Sequence, residues 1–430
     1  MSGDYAPPAF PSRMRTRLLR PAPNGSGEDV ELPFVIGLIA DLSGGRPPGE
    51  RPPLRAGRFT AVGASGPAVA EASGAAGAAA AGLDALLAGP APGPWVERAR
   101  RGLHFLAAQL AEPCRLMVLD ATREELVADL AAGRGGALFR AVCEQPFAAG
   151  GGAPFTLLLA DYAWDQPDAD ALRALAQLGA EAHAPVLTNA AEPLFRDGAA
   201  GTAWEALRQA PESRYLVLAA PPLPVPGGGA GAAAGDGMGA AHAVAARLAR
   251  LHAATGWVAG LLGPAPDAWS PQLPTPVAAA EPGPVAAEAG LLPVSLAADG
   301  RCFLRRAPTL HRPRRYEGEP STESARIAAQ LPFVLATGRV MQSLRVLARD
   351  QAGRLDGPQL EDLLARWLER YRQDPDLPLA ERRIRTPLHE VRLTLRPDPG
   401  GGQLLACHLR PWLGPEEIMP GGVSVMGRLP

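Results

Sequence analysis

Lysine is absent from this sequence of 430 residues; all 42 basic side chains are Arg. A phosphate loop that needs a Lys on the β- and γ-phosphates is therefore excluded, as is an enzyme that forms a Schiff base through a Lys amine. Aromatic residues are scarce, at 5%. So is cysteine: Cys114, Cys143, Cys302 and Cys407 are scattered, with no C-x-x-C pair and no zinc-like spacing. They read as buried apolar thiols in a reducing compartment. No run of about 18 apolar residues is free of Gly, Pro or charge, so no membrane span is expected. The first residues carry Arg but no apolar core of a secretory signal, and the expectation is a soluble, cytoplasmic protein. The formal net charge of −2 gives no bulk basic field for nucleic acid.

Motifs that carry chemistry are equally sparse. The seven His residues show no H-E-x-x-H or His-x-His spacing, and no G-x-S-x-G elbow is present. Asp41-Leu42-Ser43-Gly44-Gly45 follows a strand-like run, as a phosphate loop would. Arg46-Pro47-Pro48 comes next, however, and cannot open a regular helix with its full set of donors. Gly227–Gly239 reads as a surface loop rather than a nucleotide fingerprint. Cys407 and His408 are neighbours on an expected strand, so their side chains point to opposite faces. Asp161 and Glu192 follow strands, where many enzymes place carboxylates, but turn capping explains them better than catalysis does. The expectation is no catalytic residue, no cofactor and no metal.

What is abundant is apolar sequence (47%), together with 49 Gly and 47 Pro. Leu32–Ile39 reads as a buried strand, and Thr60–Val62 as a short one. Residues 63–94 are an Ala/Gly-rich linker. From Trp95 onward, helical stripes alternate with strands. The expected strands are Arg115–Leu119, Phe155–Ala160, Val186–Thr188, Tyr215–Ala219 and Trp257–Leu262. The expected helices include Arg123–Ala131, one carrying Leu172, Leu175 and Leu178, and one carrying Val244, Leu248 and Leu251. Two long helices follow, one running from Ile327 through Leu347 and one with its stripe from Leu360 to Tyr371. Three strands, Glu390–Leu395, Gln403–Leu409 and Val423–Arg428, close the chain. Two Arg groups need a partner: Arg305, Arg306, Arg312, Arg314 and Arg315 before Tyr316, and Arg382, Arg383 and Arg385. No interleaved aromatics accompany the first group, and Glu317 and Glu319 follow it at once. That disfavours single-stranded nucleic acid and suits a carboxylate-rich protein interface.

Ordered pieces of the sequence carry a resemblance. "ELPFVIGLIADLSG…PPLRAGRF" is similar to the N-terminal signature of the small sheath subunit of bacterial type VI secretion. From Trp95 onward the chain resembles the large sheath subunit. The matching pieces include "WVERARRGLHFL", "LLLADYAW", "EAHAPVLTNAAEPLF", "ESRYLVLAAPP", "GWVAGLLGP", "ARIAAQLPFVLATGRVMQSLRVLARDQAG", "LEDLLARWLERY" and "LRPWL…GGVSVMGRLP". The resemblance implies an α+β fold, a mixed α/β core of the sheath-subunit type with strand-donating terminal arms. It also implies four segments: an N-terminal arm with a donated strand (1–30), a small-subunit-like segment (31–62), the linker (63–94) and a large-subunit-like domain (95–430).

By the same resemblance the function is structural. Sheath subunits form a contractile helical tube around an inner tube of secreted hexamers, on a baseplate, and a recycling unfoldase ATPase dismantles it. The implied partners are copies of itself or other sheath subunits, the inner-tube hexamers, the baseplate and that ATPase, with no nucleic acid and no membrane. Open, heterologous contacts of this kind build filaments. The family joins neighbours by donated end strands, which points here to Arg15, Thr16, Arg17, Leu18 and Leu19 at one end. At the other end it points to Val423, Ser424, Val425 and Met426. Arg339, Arg345, Arg349 and Asp350 are expected as helix-surface contacts. The small subunit's helical C-terminal half is missing. The large subunit's N-terminal extension, where the ATPase docks, is short or absent. The chain thus looks like a condensed fusion, and a non-polymerising accessory that caps or regulates a sheath or baseplate stands as the alternative.

Overall fold

The computed structural model describes residues 16–21, 29–43, 59–62, 93–199, 201–224, 237–262, 284–296, 302–377, 385–399, 402–413 and 422–429. Arg15, nearly all of the 63–94 tract and most of Gly227–Gly239 lie outside the described residues.

In chain order, β1 (Leu19–Pro21) and β2 (Asp29–Glu31) make a small antiparallel pair. A larger sheet follows from β3 (Phe34–Ala40), β4 (Thr60–Val62), β5 (Cys114–Asp120), β6 (Leu157–Trp164), β7 (Val186–Ala190), β8 (Leu216–Ala220) and β9 (Leu292–Pro293). Its helices are α1 (Pro94–Gln109), α2 (Arg123–Ala131), α3 (Ala169–Ala182), α4 (Thr202–Gln209) and α5 (Ala240–Thr255). After a two-stranded pair, β10 (Ser295–Leu296) with β11 (Cys302–Phe303), come α6 (Glu319–Ala328), α7 (Leu331–Asp350) and α8 (Gly357–Glu369). An antiparallel sheet of β12 (Leu388–Pro397), β13 (Gln403–Pro411) and β14 (Val423–Leu429) ends the chain, with β13 in the middle. The fold is α+β: a mostly parallel layered body joined to a separate antiparallel sheet.

The main sheet has the order β4-β5-β3-β6-β7-β8-β9, and only the β4–β5 pair is antiparallel. β3 lies between β5 and β6, and all of its residues are buried. That is why it reads as an uninterrupted apolar run: a central parallel strand has no solvent face. Ile36 and Leu38 enter the core on one side of the sheet, while Val35 and Ile39 enter the core on the other. α1 and α5 pack on the first side, and α2, α3 and α4 supply the second.

Local chemistry sets the helix ends. Thr122 accepts from the Glu125 amide while the Glu125 carboxylate accepts from the Thr122 amide, a reciprocal cap that starts α2. α3 ends on His183, a non-Gly residue held in the left-handed region at φ 52°. The expected strand Trp257–Leu262 is instead a series of turns, with Gly256 and Gly260 at φ 68° and 92°. The expected helix from Ile327 onward is two helices. It breaks at Ala329-Gln330, because Pro332 in the first turn of α7 has no N–H to offer the Ala328 carbonyl and its ring would clash there in a continuous helix.

α7 is buried from Leu331 to Arg349 and ties the body to the last sheet. Its Arg residues are therefore not surface contacts. Arg339 donates to the carbonyls of Leu32 (2.7 Å) and Pro33 (3.0 Å) and to Thr156 Oγ1 (3.0 Å). Arg349 donates to the carbonyls of Pro146, Gly151 and Gly152, and Arg345 to that of Glu181. A planar guanidinium with several donors suits this capping of loop carbonyls. No helix among the described residues is long and apolar enough to cross a membrane.

Candidate assembly interface

The terminal strands sit on the last two helices. At the N-terminal end, Thr16 and Leu18 are buried and Arg17 is exposed. The Thr16 amide donates to the Thr255 carbonyl (2.8 Å). Leu19, the first residue of β1, pairs with Glu31. Its amide donates to the Tyr371 hydroxyl (2.7 Å), and its carbonyl accepts from the Trp367 indole (2.6 Å). Trp367 and Tyr371 lie four residues apart, one turn along the α8 stripe, with ring centroids 4.9 Å apart. Arg20 completes the clasp with an ion pair to Asp350 (2.6 Å), which also meets Arg349 (2.8 Å). Burial dominates at Arg20 and lowers its pKa, against the Asp350 carboxylate, which raises it.

At the other end, β14 pairs with β13 in register: Val423 opposite Leu409, Ser424 opposite His408, Val425 opposite Cys407 and Met426 opposite Ala406. The alternation sorts the side chains. Val423 and Val425 are half-buried and Gly427 and Leu429 buried, while Ser424, Met426 and Arg428 are exposed. Leu405, Cys407 and Leu409 of β13 are buried in the core that α7 and α8 help to build. Among the described residues β14 pairs with β13 alone, so its other edge carries no ladder. Met426 stands 64% exposed, the most exposed of the large apolar side chains among the described residues.

β14 also touches the body. Gly427 passes so close to His183 that a Cβ there would fall 2.7 Å from Nε2. Burial, and secondarily Arg345, lowers the pKa of His183 to about 3, so its ring is neutral; its Nδ1 has no hydrogen-bond partner among the described residues. Two clefts flank the strand. One, of about 560 Å³, is lined by Met426, Gly427 and Arg428 with residues of α3. The other, of about 820 Å³, is lined by Val423 and Ser424 with Arg214 and Arg314.

The residues weighed for catalysis are placed as follows. Cys407 is buried, whereas His408 is partly exposed on the opposite face, 3.9 Å from Glu390. Burial pushes the Cys407 thiol up to about 12. Asp161 is not a turn cap; it lies inside β6, buried, and accepts from Asn189 Nδ2 (2.9 Å) with His242 Nε2 at 3.7 Å. The His242 ring packs on Gly102, where a Cβ would fall 2.6 Å from it. Glu192 opens a short helix and pairs with Arg196 (2.6 Å). No cluster of three or more metal-ligating side chains occurs among the described residues. Sequence reasoning missed the polar roles of Trp367 and Tyr371, whose stripe spacing reads only as helix core, and it named Asp350 as a helix contact without its partner Arg20.

Two family models match the chain. The EvpB/VC_A0108 tail sheath N-terminal domain matches residues 93–201, and the EvpB/VC_A0108 tail sheath gpW/gp25-like domain matches residues 320–421. The type VI secretion system sheath protein TssC1 of Pseudomonas aeruginosa is 25% identical over 339 residues, covering 64% of this chain and 67% of that protein. The two matched stretches hold α1 through β7 and α7 through β13. They leave out β1 to β4, the stretch from α4 through β11, and β14.

Proposed function

We propose that this chain is a type VI secretion sheath protein and works as a structural protomer of a contractile sheath, without catalysis; the two tail-sheath family matches and the likeness to TssC1 support this reading. It assembles in the cytoplasm with copies of itself or with other sheath subunits, around an inner tube and on a baseplate. The observation that carries the reading is β14, a strand with one edge unpaired among the described residues. Strand ladders hold neighbours together while the bodies shift, which a contracting tube requires. In the single chain both end strands are paired at home, β1 with β2 and β14 with β13. Assembly in this reading exchanges those pairings for the same ones made between chains.

The sheet supports the fusion reading. β3 lies outside both family matches, yet it is the strand that joins β5 to β6. Without it the matched body would hold a gap in the middle of its sheet. A two-subunit sheath can fill such a gap with a strand from the smaller partner; in this reading β3 fills it covalently. The second reading, a non-polymerising accessory of a sheath, draws on the same home pairing of both ends. Removing residues 1–22 tests the first: ordered polymers disappear while a folded monomer remains. Intact filaments from the truncated chain would refute donation by the N-terminal strand.

A further inference from the structure

The cleft of about 820 Å³ at the start of β14 has an unusual lining: Arg214 and Arg314 bring two guanidinium groups to it, and among the described residues no Asp or Glu lines it. Neither Arg has an ion-pair partner among the described residues. Their neighbour Arg312 does, to Glu205 at 2.9 Å. Arg214 Nε donates to the Pro211 carbonyl (2.9 Å), which fixes the side chain and leaves the terminal nitrogens to the cleft. His311 adds no charge at neutral pH, because burial, then Arg214, lowers its pKa. Tyr316, 56% exposed, provides an apolar wall. Val423 and Ser424 form another wall, and they belong to the strand whose edge is open.

These features describe one kind of occupant. An extended peptide laid on a free strand edge finds backbone donors and acceptors. Two guanidinium groups that share a cleft with Val423 and Ser424 of that strand, and that have no ion pair among the described residues, select carboxylates, which they can hold in paired, charge-assisted hydrogen bonds. We propose that this cleft receives an acidic, extended segment of a partner protein, with its backbone along β14 and its carboxylates on Arg214 and Arg314. The proposal rests on the reading of β14 as an assembly strand and adds the charge of what pairs with it.

Fluorescence anisotropy on the full chain tests it, with a labelled heptapeptide of alternating Glu and Val. The controls are an Arg/Val peptide and a short single-stranded oligonucleotide. The Glu/Val peptide binds, and raising the salt from about 50 to about 300 mM weakens it. Affinity falls about tenfold in the Arg214→Glu/Arg314→Glu double variant and about threefold in Arg314→Glu alone. Arg314 is exposed, so its substitution leaves the fold intact even if Arg214→Glu disturbs the Pro211 turn. No binding, equal binding to both variants, or tighter binding of the oligonucleotide overturns the proposal. Electron microscopy of the same samples separates the two readings. Polymers without charge-dependent peptide binding refute the cleft and leave the sheath protomer standing. Charge-dependent binding without polymers upholds the cleft and refutes the protomer.

Discussion

The Trp367 indole donates to the carbonyl of Leu19 at 2.6 Å, across 348 residues of chain. One side-chain bond thus couples the strand at one end of the sequence to the helix that supports the sheet at the other. Trp367→Phe keeps the ring in the stripe and removes the donor. The expected cost is about 1 kcal/mol of arm docking. Hydrogen exchange at residues 16–21 accelerates correspondingly while exchange in β3 does not change.

Arg339 predicts a larger effect. Arg339→Met leaves the carbonyls of Leu32 and Pro33 and the hydroxyl of Thr156 without the guanidinium that serves them. Orphaned buried acceptors cost about 1–3 kcal/mol each, so a loss of about 3 kcal/mol is expected by urea denaturation. A loss below about 0.5 kcal/mol would mean that water replaces the guanidinium.

Much of the body was legible in the sequence, for reasons visible in particular residues. α2 announces itself through Thr122 and Glu125, and β3 through a run buried on both faces. The terminal strands show their alternation. Their partners do not show, because pairing of Leu19 with Glu31 or Val425 with Cys407 depends on turns that carry no periodicity. The burial of Arg339, Arg345 and Arg349 was illegible for a related reason. Their acceptors, at Leu32, Glu181 and Pro146, lie over 160 residues away in sequence. Trp257–Leu262 misleads because an apolar run has no period to separate strand from turn, and the left-handed Gly256 just before it and Gly260 within it decide.

The place of β3 gives a test of the fusion. With a protease site introduced in the 63–92 tract, the cut chain stays together as a complex under native conditions. Ladders to β5 and β6 and burial on both faces hold the N-terminal fragment. Size-exclusion chromatography followed by denaturing gels reads the outcome. Separation of the fragments under native conditions would contradict the assignment of β3 as the strand that completes the body.

His183 sets a pH dependence with a definite sign. Its pKa is about 3 when folded against 6.5 as the ordinary value. The unfolded chain therefore binds the proton first as pH falls. Stability is intact above pH 6.5 and declines as pH drops from 6.5 toward 3. His183→Asn, which tolerates the left-handed backbone, flattens that part of the curve. His311 shifts in the same direction, so the slope is reduced rather than abolished.

Cys407 lies directly opposite Val425 in the β13–β14 ladder, and this register gives the most direct test of strand exchange. In the Val425→Cys variant, oxidation of the monomer joins the two positions within one chain. In assembled material the account predicts the same bond between chains, seen as a ladder of dimers and higher species on a non-reducing gel. Polymers in which that bond forms only within single chains would contradict it.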